Sequence, residues 1–232
     1  MASLKSYLSI FSLNVNGLNA PIKLHRVADC IKRNDPSICC LQETHFEPKD
    51  TFRLSVTGWS TIFHANGPQK KAGVAILISD RLYFKLKTIV RDTEGHYIIL
   101  KGCIQQVDMT IINIYAPNRG AARYTSQLLT TIKRYIDKNT LIVGDLNTPL
   151  SEIEHHAMDR SCKQKINKET RALNHTLDQM DFELKHLEVK DYTAKKMFWS
   201  IRKLKKNLSN SRKPMTMKTQ QSKTYGILER RF

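Results

Sequence analysis

The chain has 232 residues and carries 38 Lys and Arg against 21 Asp and Glu, a formal charge of +17. That length accommodates one large α/β domain with or without an appendage and excludes two full enzymes. Hydrophobic residues at 41 % exclude wholesale disorder. No run approaches the roughly 18 apolar residues of a membrane span. Residues 1–13 lack the long apolar segment and small-residue cleavage pattern of a secretory signal. Cys30, Cys39, Cys40, Cys103 and Cys162 are odd in number, and Cys39-Cys40 sits in an apolar run. They read as reduced core thiols of an intracellular protein, nuclear or cytoplasmic and not secreted.

Residues 7–15 alternate and end at Asn16-Gly17, a strand running into a turn. Leu24, Val27, Ala28 and Ile31 recur at helical spacing over 24–33, and Asp35-Pro36 ends that helix because the residue before proline avoids the helical region. Residues 38–42 form a short apolar run, a buried strand that delivers Glu43. Further strands are predicted at 59–64, 73–79, 97–104 and 109–115, separated by turn signals at Asn66-Gly67, Glu94-Gly95 and Pro117-Asn118. An amphipathic helix is predicted over 121–138, with Tyr124, Leu128, Ile132 and Tyr135 or Ile136 on one face. A buried strand follows at 140–143, ending in Gly144-Asp145, and then a helix over 167–182 carrying Leu173, Leu177 and Met180. Strands alternating loosely with helices give an α/β sandwich.

After Phe182 the pattern changes. Residues 183–232 hold 14 Lys and Arg against 4 Asp and Glu, leaving 24 against 17 for residues 1–182. Residues 183–206 read as a basic helix carrying Leu184, Leu187, Phe198, Ile201 and Leu204. Residues 207–226, rich in Ser, Asn, Lys, Thr and Gln, read as disordered. The basic excess favours a polyanionic partner, and a solvated extension is the bland account of the same charge.

Four motifs sit where an apolar strand gives way to polar residues: Leu13-Asn14-Val15-Asn16-Gly17, Gln42-Glu43-Thr44-His45, Asn113-Ile114-Tyr115-Ala116-Pro117-Asn118, and Gly144-Asp145-Leu146-Asn147-Thr148-Pro149. Strand ends share one rim of an α/β sheet, where loops have room to present side chains. Singly, each motif is an ordinary turn. Together they supply hard oxygen ligands, a phenol and amides, a set suited to a Mg²⁺-assisted phosphodiester site.

In this order the motifs resemble the exonuclease III / DNase I-like endonuclease–exonuclease–phosphatase superfamily, and more closely the N-terminal endonuclease of mammalian LINE retrotransposons. Connecting segments agree, among them Asp35-Pro36-Ser37-Ile38, Lys71-Ala72-Gly73-Val74, Glu94-Gly95-His96-Tyr97-Ile98, and Asp159-Arg160-Ser161 through Asp178-Gln179-Met180-Asp181. The resemblance implies a DNase I-like four-layer α/β sandwich over 1–181, with 182–232 a basic tail outside the family. It also implies hydrolysis of duplex DNA by a monomer that grips the backbone and makes no use of a membrane, as a retrotransposon or apurinic-type endonuclease. The cofactor would be Mg²⁺, with Mn²⁺ as an alternative. Among the implied roles, Glu43 binds the metal, Asn14 supports the metal shell and the phosphate, and Tyr115 contacts the scissile phosphate. Asp145 orients or deprotonates the attacking water, or protonates the leaving group. Asn147 stabilises charge on the phosphate, and His45 and Asn118 lie against the metal or DNA backbone.

The family pattern continues with further strands and a Ser-Asp-His motif whose histidine acts on the phosphate or the water. Here Asp is followed by His nowhere, and His186, the one histidine after His175, reads as a solvated helix residue. No general-base histidine is found, and loss of the Ser-Asp-His half-site is expected to impair hydrolysis. The sandwich is therefore expected to be incomplete, its C-terminal strands missing, neighbouring sheet edges unpaired and one face of the core uncovered. The change after Phe182 fits an internal deletion or reading-frame change in a retrotransposon copy. Two further readings stand beside the endonuclease: a catalytically dead, basic nucleic-acid-binding remnant, and a phospholipid or inositol-phosphate phosphodiesterase.

Overall fold

The computed structural model describes residues 8–148 and 168–180, together with the backbone of three short strands farther on. Two sheets face each other. The first holds β1 (Ile10–Asn14), β2 (Ile38–Gln42), β3 (Thr61–Ala65) and β4 (Val74–Ile78) in the order β1-β2-β4-β3. The second is built from β5 (Phe84–Arg91), β6 (Tyr97–Ile104), β7 (Val107–Tyr115) and β8 (Thr140–Asp145), consecutive strands being neighbours. Helix α1 (Pro21–Asn34) lies between β1 and β2 in the chain. α2 (Ala121–Ile132) lies between β7 and β8, and α3 (Lys168–Gln179) comes after β8.

The period-2 alternation of the strands assigns each residue to a layer. Ile38 and Cys40 of β2, Val74, Ile76 and Ile78 of β4, Ile98 and Leu100 of β6, Ile111 of β7, and Leu141 and Val143 of β8 fill the space between the sheets. Cys39, Leu41, Ala75 and Leu77 point the other way and pack with Val27 and Ile31 of α1 and with Trp59. On the far side, Ile112, Ile114 and Ile142 pack with Leu128, Leu129 and Ile132 of α2 and with Leu173 and Leu177 of α3. The result is the expected helix–sheet–sheet–helix sandwich. Each buried leucine or isoleucine contributes about 1.5–3 kcal/mol.

Helix α1 starts three residues before its apolar stripe, because Pro21 at its first turn pre-sets the helical φ. It ends where Asp35 adopts a left-handed φ of 47° and its N–H returns to the Ile31 carbonyl. The strand β5 has no counterpart in the predicted elements. It is a sheet edge, exposed along Lys85–Thr88 and broken by a bulge between Leu86 and Thr88, so its sequence lacks an apolar alternation. The helix expected over 121–138 stops at Ile132 and tightens into a 3₁₀ turn, Lys133–Tyr135.

The largest departure concerns the tail. In place of a basic helix over 183–206, Leu184–Leu187 (β9) and Phe198–Ile201 (β10) are strands, and Tyr225–Leu228 (β11) is a strand reaching into the segment read as disordered. β10 pairs antiparallel with β8, Phe198 opposite Gly144 and Ile201 opposite Leu141, so an edge expected to be unpaired is covered. β9 and β11 pair with each other. The physical reason is twofold: Phe-Trp-Ser-Ile has high strand preference, and a strand edge offers a row of unpaired backbone groups that outweighs weak helical spacing. Cys162, residues 159–161 and most of 207–226 fall outside the described residues.

The cysteines described, Cys30, Cys39, Cys40 and Cys103, are free, and burial pushes the Cys39 and Cys40 thiols well up. Among the described residues no helix is long and apolar enough to cross a membrane.

Candidate active site

β1 runs parallel to β2, and β7 runs parallel to β8. Parallel neighbours end on the same rim, which is why four motifs far apart in sequence converge. Along each of these strands the inward-facing positions turn polar toward the C-terminal end: Ile10, Ser12, Asn14; Ile38, Cys40, Gln42; Ile111, Asn113, Tyr115; Leu141, Val143, Asp145. The site is the polar end of the inter-sheet layer.

Its centre is Asn14. The Asn14 carboxamide nitrogen donates to Glu43 Oε1 at 2.7 Å and to Asp145 Oδ2 at 2.8 Å, tying a carboxylate of the first sheet to one of the second. The Asn14 carbonyl accepts the Asn16 N–H at 3.0 Å, which fixes the orientation of the amide. The neighbouring His45 imidazole holds the Glu43 carboxyl below the usual range, with Asn14 and Tyr115 adding to the effect and burial opposing it. His45 Nε2 lies 3.6 Å from Glu43 Oε2.

Glu43 and His45 have φ of 55° and 56°, sparsely populated values for residues with side chains. Two glycines permit this loop. A Cβ on Gly73 would stand 2.4 Å from Thr44 Oγ1, and one on Gly17 would stand 2.9 Å from His45 Nδ1.

Asp145 is buried, and its Oδ1 accepts the Asn147 N–H at 3.0 Å. Gly144 makes the approach possible: at φ 147° a Cβ would sit 1.9 Å from the Ile114 carbonyl oxygen. The Asn147 carboxamide donates to the Ala116 carbonyl at 2.7 Å, fastening the loop after β7 to the loop after β8. Burial raises the Tyr115 hydroxyl well above the usual phenol range, and the Glu43 and Asp145 charges raise it further. Tyr115 therefore carries its proton, and its hydroxyl faces the Glu43 carboxylate.

A cleft of about 570 Å³ opens on this group, with Glu43, His45, Tyr115 and Asn118 among its walls. The structure thus brings together all seven residues singled out in the sequence. Asn14, Glu43 and Asp145 are bonded directly, Tyr115 joins through Glu43, and Asn147 joins through Asp145. His45 and Asn118 face the cleft. His186 belongs to β9, paired with Tyr225–Leu228 and not with the sheet that carries Asp145.

Sequence reasoning overlooked His96. Its ring stacks on Tyr115 at 5.8 Å and 14°, and its Nδ1 lies 2.9 Å from the Tyr115 carbonyl oxygen. Its N–H is held by Asp92 Oδ2 at 2.7 Å, and it lines the cleft with Lys71. The signal was available, since β6 pairs antiparallel with β7 and so begins where β7 ends.

Among the described residues no group of three or more His, Cys, Asp and Glu is arranged to hold a metal ion. Mg²⁺ does not need one: it is commonly bound through one or two carboxylates and completes its shell with water. The ionised Glu43, a second carboxylate within reach of the same amide, and an open cleft suit a hard divalent cation.

Three comparisons bear on this arrangement. The Endonuclease/Exonuclease/phosphatase family matches residues 11–161. The fold is similar to an AP endonuclease from Archaeoglobus fulgidus, at TM-score 0.54 and 22 % identity over 81 % of this chain and 80 % of that one. It is also similar to the AP endonuclease LMAP of Leishmania major, at TM-score 0.57 and 14 % identity over 76 % and 67 % of the two chains. In sequence, the chain is 25 % identical over 163 residues to the transposon TX1 uncharacterized 149 kDa protein of Xenopus laevis. That match covers 68 % of this chain and 12 % of the relative, so the chain spans a small part of that protein's length.

Proposed function

Because the chain belongs to the endonuclease/exonuclease/phosphatase family, we propose that it hydrolyses phosphodiester bonds in duplex DNA, nicking one strand with Mg²⁺ as cofactor and Mn²⁺ as an alternative. The observation that carries this reading is the Asn14 bridge between Asp145 and Glu43, the latter a wall of the cleft. In-line attack on a phosphodiester requires a positioned water, neutralised phosphate oxygens and a stabilised leaving oxygen.

Glu43, supported by Asn14 and Asp145, would hold the metal. A bound Mg²⁺ supplies positive charge at the phosphate oxygens. Asp145 takes the attacking water as a hydrogen-bond acceptor, its own orientation fixed by Asn14 and the Asn147 N–H. Tyr115 keeps its proton and donates it as a hydrogen bond to the phosphate. His45, Asn118 and Lys71 meet the neighbouring backbone from the cleft walls.

A second reading is favoured by one observation. Residues 183–232 hold 14 Lys and Arg against 4 Asp and Glu, most of the basic excess of the chain. On that reading the chain binds DNA through salt-sensitive backbone contacts without cutting it. Supercoiled-plasmid nicking in Mg²⁺, with Glu43→Ala and Asp145→Ala as controls, separates the two. Nicking lost in both variants supports the hydrolase. Salt-sensitive binding with no nicking by the unmodified chain overturns it.

A further inference from the structure

One layer below the site, the inter-sheet space is crossed by a set of polar side chains that touch no part of the cleft. Gln42 and Asn113 are both completely buried, and Ser12 nearly so. Gln42 Nε2 donates to Asn113 Oδ1 at 2.7 Å, linking β2 of the first sheet to β7 of the second. Gln42 also exchanges hydrogen bonds with the Ser12 hydroxyl, at 2.9 and 3.2 Å, which brings in β1. Asn113 Nδ2 returns to the first sheet, donating to the Leu41 carbonyl at 2.9 Å and the Ala75 carbonyl at 3.0 Å.

This is an unusual use of a sandwich core. The positions beneath it, Cys40, Ile76, Ile111 and Val143, are apolar, and the dispersion contacts they make have no preferred direction. A hydrogen bond between two buried amides has one, and breaking it strands polar groups without water. The location matters as much as the chemistry. Ser12 stands two residues before Asn14, Gln42 one before Glu43, and Asn113 two before Tyr115. Three of the four strands that deliver the site are pinned across the sandwich just before they deliver it.

We propose that Gln42 and Asn113 are positioning residues: their amide–amide bond fixes the register of one sheet against the other and so holds Glu43 and Asn14 at bonding distance from Tyr115 and Asp145. The inference rests on the phosphodiesterase reading for its effect on rate, and on geometry alone for its effect on the Asn14 bridge. Gln42→Met and Asn113→Leu remove the bond while preserving approximate volume. Ile111→Val, a buried neighbour on β7 in the same inter-sheet layer, is the control for plain loss of core stability. Two readouts are compared well below every variant's melting temperature.

The first is nicking kinetics, in which the amide variants are expected to lose about tenfold in kcat with KM for DNA within about twofold. The second is solvent exchange of the Asn14 side-chain amide protons by NMR, expected to quicken about tenfold as the carboxylates drift from it. The control should move neither. If both variants match Ile111→Val in both readouts, the positioning role is overturned. If the unmodified chain does not nick yet the exchange difference is present, the hydrolase reading fails and the positioning role stands.

Discussion

Replacing Asn14 by Ala removes three hydrogen bonds, two of them to carboxylates at 2.7 and 2.8 Å and the third an exposed bond from the Asn16 N–H. Bonds to charged groups are worth about 1.5–3 kcal/mol each when well buried. Asn14 and Glu43 are only partly buried, and solvent screening roughly halves that, leaving about 2 kcal/mol for the pair. For a chain of this size the melting temperature should fall by about 4–8 °C. If the same bonds hold the carboxylates in their reacting geometry, the loss corresponds to a decrease of about 30-fold or more in kcat. Plasmid nicking in saturating Mg²⁺ and thermal unfolding by circular dichroism measure the two effects separately. The stability difference from the unmodified chain should shrink in acid. Glu43 is held below its ordinary value, so its contribution is present above the unfolded carboxyl range and is lost as pH falls through the folded one. A variant that melts lower yet nicks within threefold of the unmodified chain would refute the bridge as an organiser of catalysis. Unchanged melting would refute the energetic argument as well.

Tyr115→Phe removes a donor that burial and two carboxylates keep protonated; kcat should fall about 10²–10³-fold with little change in melting temperature. Gly144→Ala forces a methyl against the Ile114 carbonyl oxygen at 1.9 Å, and cooperative unfolding should disappear from its thermal melt. His64 is pushed down to about 4 by burial, with the Arg91 charge adding to it. Its unfolded form takes up a proton below about pH 6.5, so stability is intact above that pH and declines as pH falls toward 4. Denaturant titrations at pH 7 and pH 5 should differ by about 2 kcal/mol from this residue, and His64→Phe should flatten that part of the slope.

The inner strands were legible because burial on both faces leaves near-continuous apolar runs, as at Ile38–Gln42 and Thr140–Asp145. β5 was not, since a sheet edge facing solvent selects lysine and tolerates irregularity. The tail misled for a related reason: β10 is specified by the edge it pairs with and not by its own periodicity. At the site, Asn14, Glu43, Tyr115 and Asp145 announced themselves by following apolar runs. His96 did not, because it precedes a strand instead of ending one. Gln42 and Asn113 were visible as letters within motifs, but their pairing depends on which strand faces which across the core, and that is a property of two sheets together.

The Asn14 amide reaches a carboxylate 131 residues away along the chain. A polypeptide emerging from the ribosome has therefore presented every strand of its first sheet, and β5, β6 and β7 of its second, before β8 exists to complete the constellation. Until Asp145 has cleared the exit tunnel and docked, no fragment holds the pair of carboxylates that Asn14 joins. Synthesis itself acts as a safety catch: the joined carboxylates are withheld from every nascent intermediate and granted only to a chain whose two sheets have met.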